Sequence, residues 1–177
     1  GKTIFYTQKD EQTLRSNKVF KHILGTDVSE DIEIFCEEED AFISSVYRSK
    51  SKDYIIIGSY STVSTEFRIL KTDDPNGEFQ LFEPRKRDHE YSIDHKSGNF
   101  FIVTNLDGAK NFKLMKCDEE NTTSDNWKEV IAHREDVLLE SVEIFNNFLV
   151  VDERKGGLTQ YRVMNQINQS EHLIDMG

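Results

Sequence analysis

The chain of 177 residues has only two prolines, two cysteines and no apolar run long enough to span a bilayer. The missing run excludes a membrane-spanning helix, and the opening residues GKTIFYTQ do not resemble a signal peptide. Cys36 and Cys117 lie in separate segments without metal-ligand spacing. We therefore expect free, partly buried thiols in a reducing compartment, which places the protein in the cytoplasm.

Basic residues are few relative to acidic ones: 22 against 33, for a net charge of −11. This balance argues against nucleic acid or an anionic membrane as a partner, and it permits attraction of cationic peptides. The 12 phenylalanines and 6 tyrosines exclude a disordered chain. The length is sufficient for one domain with a sizeable core.

Helical periodicity is also missing, and a repeated strand pattern stands in its place. Three segments share an alternating stretch, a short polar turn and a strongly apolar stretch, which together predict a β-hairpin. They are SSVYRSKSKDYIIIGS at 44–59, EYSIDHKSGNFFIVTN at 90–105 and LESVEIFNNFLVVDE at 139–153.

The similarity continues downstream of each hairpin. A third strand is predicted at 66–74, 111–119 and 159–166, and a fourth at 79–84 and 127–133. The repeating unit is therefore four short strands, and an earlier copy near the start of the chain lacks its first strand.

The spacing of these copies predicts the architecture. The apolar second strands begin near Ile4, Tyr54, Phe100 and Phe148, a period of about 46 to 50 residues. Four-stranded repeats of this length predict an all-β fold, a partial β-propeller of about four antiparallel blades. This pattern is compatible with a closed ring of four blades and with a piece of a larger ring, and the missing first strand favours the larger ring. The predicted blades are 1–40, 41–87, 88–135 and 136–177.

Six segments, in order and with similar spacing, resemble the oligopeptidase B (protease II) branch of the prolyl oligopeptidase family of serine peptidases. Ser16 stands where that branch usually has proline, and the residues from Asn165 onward match poorly. The segments are KDEQTLR at 9–15, HILGTD at 22–27, HEYSIDH at 89–95, GAKNFKL at 108–114, HREDVLLE at 133–140 and GLTQYRV at 157–163.

This resemblance implies a seven-bladed propeller from which the chain is cut, joined in the parent chain to a hydrolase domain that carries a Ser-Asp-His triad. It also implies cleavage of short peptides after Arg or Lys. The hydrolase domain is absent from this sequence, and the propeller would act as a steric gate over the active site. The partners implied are that hydrolase domain and the peptide substrates, and no cofactor is expected.

The histidines of HEYSIDH suggest a metal site, but their spacing argues against one. His89 and His95 are six residues apart, so on a helix they point to different faces. On a strand they share a face but lie roughly 20 Å apart, whereas zinc needs both ligands at about 2 Å. We expect no metal site, and we expect a strand on which Tyr91 and Ile93 face one side and Glu90, Ser92 and Asp94 the other.

Neither a catalytic motif nor a calcium loop is convincing. A hydrolase of this family needs a Gly-x-Ser-x-Gly elbow, and the nearest match, at 58–61, ends an apolar stretch without the second glycine. We therefore expect no catalytic residues and no activity from the chain alone. The segment TDDPNGEFQLFE at 72–83 partly matches a calcium loop, but its flanks alternate like strands, so a hairpin turn is favoured.

Three carboxylates are candidates for lining a channel, because the first strand of a blade lies nearest the propeller axis. They are Glu90, Asp94 and Glu140, with exposure to solvent or packing between blades as the alternative. The bare faces of a cut propeller also suggest a homodimer. A non-enzymatic propeller that binds a protein partner is the competing functional class.

Overall fold

The computed structural model describes residues 1–175 and contains four antiparallel β-sheets, each formed by strands consecutive in the chain. This confirms the all-β, partial-propeller prediction. Within the described residues helix is limited to three short 3-10 segments, and none could cross a membrane. The 3-10 segments are Val28–Glu30, Leu106–Gly108 and Ser124–Asn126. The chain forms two compact units, Gly1–Asp88 and His89–Gly177, each containing two sheets.

The first unit contains a three-stranded sheet followed by a four-stranded sheet. The three-stranded sheet confirms that the first copy of the repeat lacks one strand. Its strands are β1 (Thr3–Lys9), β2 (Ser16–Ile23) and β3 (Ile32–Cys36), and those of the second sheet are β4 (Ile43–Arg48), β5 (Tyr54–Tyr60), β6 (Thr65–Lys71) and β7 (Gln80–Glu83).

Strand β5 (YIIIGSY) is buried over most of its length and carries buried residues on both faces of the second sheet. Phe5 on β1 and Phe79 before β7 meet edge to face, with ring centroids 5.9 Å apart, which ties the two sheets together. The buried apolar side chains of this unit are Val19, Phe42, Tyr54, Ile56, Ile57, Phe67, Ile69, Leu70 and Phe82.

The second unit contains two four-stranded sheets. The sequence predicted all of their strands except the last, which follows a segment without a clear pattern. The third sheet is β8 (Tyr91–Lys96), β9 (Asn99–Thr104), β10 (Lys113–Asp118) and β11 (Lys128–Ile131), and the fourth is β12 (Val137–Ile144), β13 (Phe148–Lys155), β14 (Leu158–Asn165) and β15 (Glu171–Leu173).

The turn between β8 and β9 shows how local sequence sets the register. Ser97 and Gly98 both have positive φ, 52° and 73°, as the central residues of a type I′ hairpin turn require. The two-residue turn pairs Lys96 with Asn99, and the pairing continues along both strands to Tyr91 opposite Thr104.

A single apolar cluster joins the third and fourth sheets. It contains Val103, Leu114, Ile131, Leu139, Ile144, Leu149 and Val151.

The two cysteines differ in burial, which corrects the expectation that both are partly buried. Both are free thiols, but Cys36 ends β3 and is exposed, whereas Cys117 on β10 is 3% exposed. Burial raises the pKa of the Cys117 thiol to about 12, and the neighbouring Asp118 adds to the effect.

Candidate functional site

The first strands of the three four-stranded sheets share one structural property. Strands β4, β8 and β12 each lie at the edge of their sheet and, within residues 1–175, pair in it only with the strand that follows. An edge strand presents its free backbone groups to whatever lies beside the sheet. The three candidate carboxylates lie on or next to two of these strands.

Glu90 lies just before β8, and Asp94 lies within it. Glu90 precedes β8 and is half-buried, and its N–H donates to Asn105 Oδ1 at 2.9 Å. The N–H of Asn105 donates in return to the carbonyl of Glu90 at 3.1 Å. Asp94 is also half-buried, and its Oδ1 accepts from the N–H of His95 at 2.7 Å. Backbone contacts therefore fix the positions of both residues.

Cross-strand pairing shows which face of the sheet carries Asp94. Asp94 lies opposite Phe101 and Ser92 lies opposite Val103. Directly paired residues in an antiparallel sheet point to the same face. Phe101 and Val103 belong to the apolar cluster shared with the fourth sheet. Asp94 is thus on the face of the third sheet that packs against the fourth sheet.

Glu140 forms an ion pair with an arginine of the neighbouring strand. It sits at a bulge in β12, and its carboxylate accepts from Arg154 Nε at 3.0 Å and from Arg154 Nη2 at 2.9 Å. The structure places it in a different sheet from Glu90 and Asp94. Its local field is largely cancelled by the neighbouring guanidinium.

The two histidines of HEYSIDH lie on one buried face of the β8 region, together with Tyr91 and Ile93, as the alternation predicted. Each has its own partner. His89 Nε2 is 3.0 Å from Thr104 Oγ1, and its ring stacks on Tyr91 with centroids 5.0 Å apart. His95 Nε2 is 2.9 Å from Glu119 Oε2. Across residues 1–175, no three His, Cys, Asp or Glu side chains are grouped so as to hold a metal ion.

The nearest sequence match to a nucleophile elbow lies inside a regular strand. Gly58 and Ser59 belong to β5, and Ser59 is 1% exposed, whereas an elbow presents its serine on a sharp turn after a strand. The segment with calcium-loop character consists of the turn 72–79 and strand β7, which pairs antiparallel with β6, and this confirms the hairpin interpretation. In that turn the N–H of Gly77 donates to the carbonyl of Asp74 at 3.1 Å.

An Asp-His contact occurs in the first sheet, where sequence reasoning had not placed one. Asp31 accepts from the Tyr6 hydroxyl at 2.7 Å and lies 2.6 Å from His22 Nδ1. The Tyr6 hydrogen bond lowers the pKa of Asp31, with a further contribution from His22. The contact links β1, β2 and the residue just before β3, three adjoining parts of one sheet.

Sequence reasoning also missed two buried ionic clusters. In the first unit, Arg85 reaches Glu37 at 2.6 Å and stands 3.6 Å over the ring of Phe42. In the second unit, buried Glu153 accepts from Arg134 and Arg162. No local sequence signal identifies either cluster, because Glu37 and Arg85 are 48 residues apart and Arg134 and Glu153 are 19 apart.

Comparison with known proteins agrees with this architecture. The sequence model described as "Prolyl oligopeptidase, N-terminal beta-propeller domain" matches residues 1–177. Among curated proteins, dipeptidyl aminopeptidase BI of Pseudoxanthomonas mexicana is 40% identical over 98% of the chain, and protease 2 of Moraxella lacunata is 33% identical over 93%. These matches span 24% and 23% of the two relatives, so the chain corresponds to about a quarter of each.

Solved structures show the same relationship. Oligopeptidase B from Leishmania major superposes with a TM-score of 0.91 at 30% identity, covering 99% of this chain and 26% of that one. Oligopeptidase B from Trypanosoma brucei, solved in a closed form with covalently bound antipain, superposes with a TM-score of 0.86 at 26% identity. It covers 96% of this chain and 24% of that one.

Proposed function

The chain belongs to the prolyl oligopeptidase family of serine peptidases, as its N-terminal β-propeller domain, and from this premise we propose that it is the non-catalytic part of an oligopeptidase. In the whole protein a hydrolase domain of the same polypeptide supplies the Ser-Asp-His triad. The substrates are short peptides cleaved after Arg or Lys, and the protein works in the cytoplasm. The similarity to oligopeptidase B structures over nearly the whole chain is the observation that carries this proposal.

The isolated chain is inactive under this proposal. Its sequence has no Gly-x-Ser-x-Gly pentapeptide, and the nearest serine, Ser59, is buried in a strand. The test is an assay of the 177-residue chain with a fluorogenic peptide ending in Arg, with the full-length protein as the positive control. Turnover above background by the isolated chain contradicts the proposal.

The four sheets are proposed as consecutive blades, 1–40, 41–87, 88–135 and 136–177, of a larger ring. The first strand of each complete blade lies nearest the channel. The edge positions of β4, β8 and β12 support this arrangement. Together the first strands narrow the channel that leads to the active site, so that folded proteins are excluded by size and short peptides enter.

Glu90 and Asp94 are proposed to favour cationic peptides at the channel. Both are half-buried next to or on an edge strand, and the chain as a whole is acidic. A cleft lined by one sign of charge raises the local concentration of oppositely charged ligand by about tenfold or more at low salt. The charge of Glu140, the third candidate, is compensated by Arg154.

The test is a charge-neutralised full-length protein carrying Glu90→Gln and Asp94→Asn. We expect kcat/KM for Arg-containing peptides to fall by several-fold, up to about tenfold, and to depend less on salt. Glu129→Gln is the matched control, because Glu129 is exposed on β11 at the opposite edge of the same sheet. If the double variant and the control behave alike, these carboxylates do not steer substrates.

The isolated chain is further proposed to form a homodimer through sheet faces that other blades cover in the parent protein. Supporting this, the first sheet exposes Ile4 at 43% and Ile32 at 53%. Burying such surface gains about 25 cal/mol per Å². Light scattering at micromolar concentration tests the idea, and a monomer there contradicts it.

A further inference from the structure

The turn 72–79 between β6 and β7 carries the one Asn-Gly pair of the sequence, Asn76-Gly77. The peptide nitrogen that follows an asparagine can attack the side-chain amide, and a following glycine permits this most easily because it has no Cβ to obstruct the approach. Asn76 is exposed, so water reaches its amide. The groups that surround this amide in the folded chain decide how it reacts.

Contacts with the first sheet hold the turn in place. The ring of Phe79 meets the ring of Phe5 on β1 edge to face, with centroids 5.9 Å apart. Phe5 pairs directly with Lys21 on β2, so these two side chains lie on the same face of the first sheet. The ammonium of Lys21 donates to Asn76 Oδ1 at 3.2 Å, across 55 positions of the sequence. A cation is therefore held at the oxygen of the Asn76 amide.

A carboxylate borders the other member of the pair. Asp74 Oδ2 lies 2.7 Å from the position that a Cβ on Gly77 would occupy, so it stands beside the residue whose nitrogen must lose a proton. The Gly77 N–H donates to the carbonyl of Asp74 at 3.1 Å. This single turn hydrogen bond lies at the surface, where local opening costs little free energy. The nitrogen of Gly77 is therefore available for attack.

We propose that Asn76 is a site of self-catalysed deamidation in the folded chain, with Lys21 as the catalytic donor. The nitrogen of Gly77 forms a bond with Asn76 Cγ, and Lys21 stabilises the negative charge that develops on Oδ1. The Cγ–Nδ2 bond then breaks, and ammonia leaves with the proton from the Gly77 nitrogen. Water opens the resulting cyclic imide and leaves a carboxylate, as aspartate or as isoaspartate.

The reaction changes the contact between the first and second sheets. Water is the only co-reactant, and no electron transfer occurs. The product at position 76 carries a negative charge, and in the aspartate form it faces the ammonium of Lys21. A hydrogen bond between β2 and the turn 72–79 thereby becomes an ion pair. Because ammonia is lost to the solvent, the change marks the chain permanently.

Peptide mapping by mass spectrometry follows the reaction in the 177-residue chain at neutral pH. The peptide of residues 72–85 should become heavier by the difference between an amide and a carboxylic acid. Asn121, which is exposed and followed by Thr122, is the internal control and should react at least about tenfold more slowly. Gly77→Ala should slow the reaction by a similar factor. The fold accommodates this variant, because the nearest atom to the new Cβ is the end of the Asp74 side chain.

Lys21→Met tests the role of the ammonium. We expect this variant to react about tenfold more slowly than the unmodified chain when folded, and at the same rate in concentrated urea, where the contact is lost. Lys18→Met is the matched control and should react like the unmodified chain, because it removes the same charge from β2 but its Nζ contacts Glu33, at 2.7 Å.

Three results would overturn the proposal. The first is an equal rate for Lys21→Met and the unmodified folded chain. The second is an equal loss of rate in Lys18→Met and Lys21→Met, which would indicate a general effect of charge. The third is a mass gain at residues 72–85 that occurs in urea but not in the folded chain. None of these measurements depends on peptidase activity.

Discussion

Removing the Arg85 guanidinium is expected to destabilise the first unit strongly. Its Nη2 lies 2.6 Å from Glu37 Oε2, its Nη1 lies 2.9 Å from Glu39 Oε1, and its Cζ is 3.6 Å from the Phe42 ring centre. The Glu66 carboxylate is 3.9 Å away. The cluster joins the segment after β3 to the end of the second sheet, so it holds the two sheets together.

The structure sets the size of the effect. The Glu37 side chain is only 5% exposed, so in Arg85→Met it becomes a buried carboxylate without its cation. Breaking one side of such a pair costs about 3–5 kcal/mol. The Glu39 contact adds little, because that side chain is 64% exposed. Arg85 is itself 19% exposed, which argues for the lower end, about 3 kcal/mol.

The pH dependence gives an independent check. Burial opposes ionisation of Glu37, but hydrogen bonds from Arg85 and from the N–H of Glu39 outweigh it and hold the pKa of Glu37 below its ordinary value of 4.5. Its stabilising contribution is therefore present above pH 4.5 and lost as pH falls through the lower folded pKa. In Arg85→Met, burial raises that pKa instead. The stability difference between the two proteins should shrink from pH 7 towards pH 4.

The assay must report on the first unit, because the single tryptophan, Trp127, lies in the second. Hydrogen exchange of β2, β5 and β6 peptides during urea titration meets this need. Arg87→Ala is the control, since its side chain is 92% exposed and its loss should cost under about 1 kcal/mol. Equal stability of Arg85→Met and Arg87→Ala contradicts the prediction. So does a stability difference between the unmodified chain and Arg85→Met that stays constant with pH.

Two further predictions concern the thiols and the second ionic cluster. At pH 8 a maleimide should label Cys36 quickly and Cys117 only after unfolding, because Cys117 is buried and its pKa is about 12. Glu153→Leu leaves Arg134 and Arg162 without their shared buried acceptor and should cost about 3–5 kcal/mol, measured by urea unfolding followed through tryptophan fluorescence.

Each of these two predictions has an internal control. Labelling of both thiols at equal rates in the native state contradicts the burial argument. For the ionic cluster the control is Glu140→Leu, whose partner Arg154 is 44% exposed, so the loss should stay below about 1 kcal/mol. If Glu140→Leu lowers the free energy of unfolding as much as Glu153→Leu does, burial does not determine how strongly these ion pairs stabilise the protein.

The sequence by itself determined every strand except β15, because each of the others carries its own signal. Alternation around Tyr91 and Ile93 predicts which side chains are buried, and Ser97-Gly98 supplies the backbone that a two-residue turn requires. Repetition of this pattern along the chain predicts the sheets, their order and the strand missing from the first. The last strand, β15, was missed because its three residues are all exposed and carry no pattern.

Only the tertiary structure decided which charged groups meet. Arg85 and Glu37 are 48 residues apart, and Glu153 collects two arginines from different segments. The hydrophobic period and the secondary-structure propensity are local properties of the sequence, whereas these ion pairs depend on how distant segments pack together. For the same reason the sequence placed Asp94 on one face of β8, but only the pairing of Phe101 and Val103 showed that this face packs against the fourth sheet.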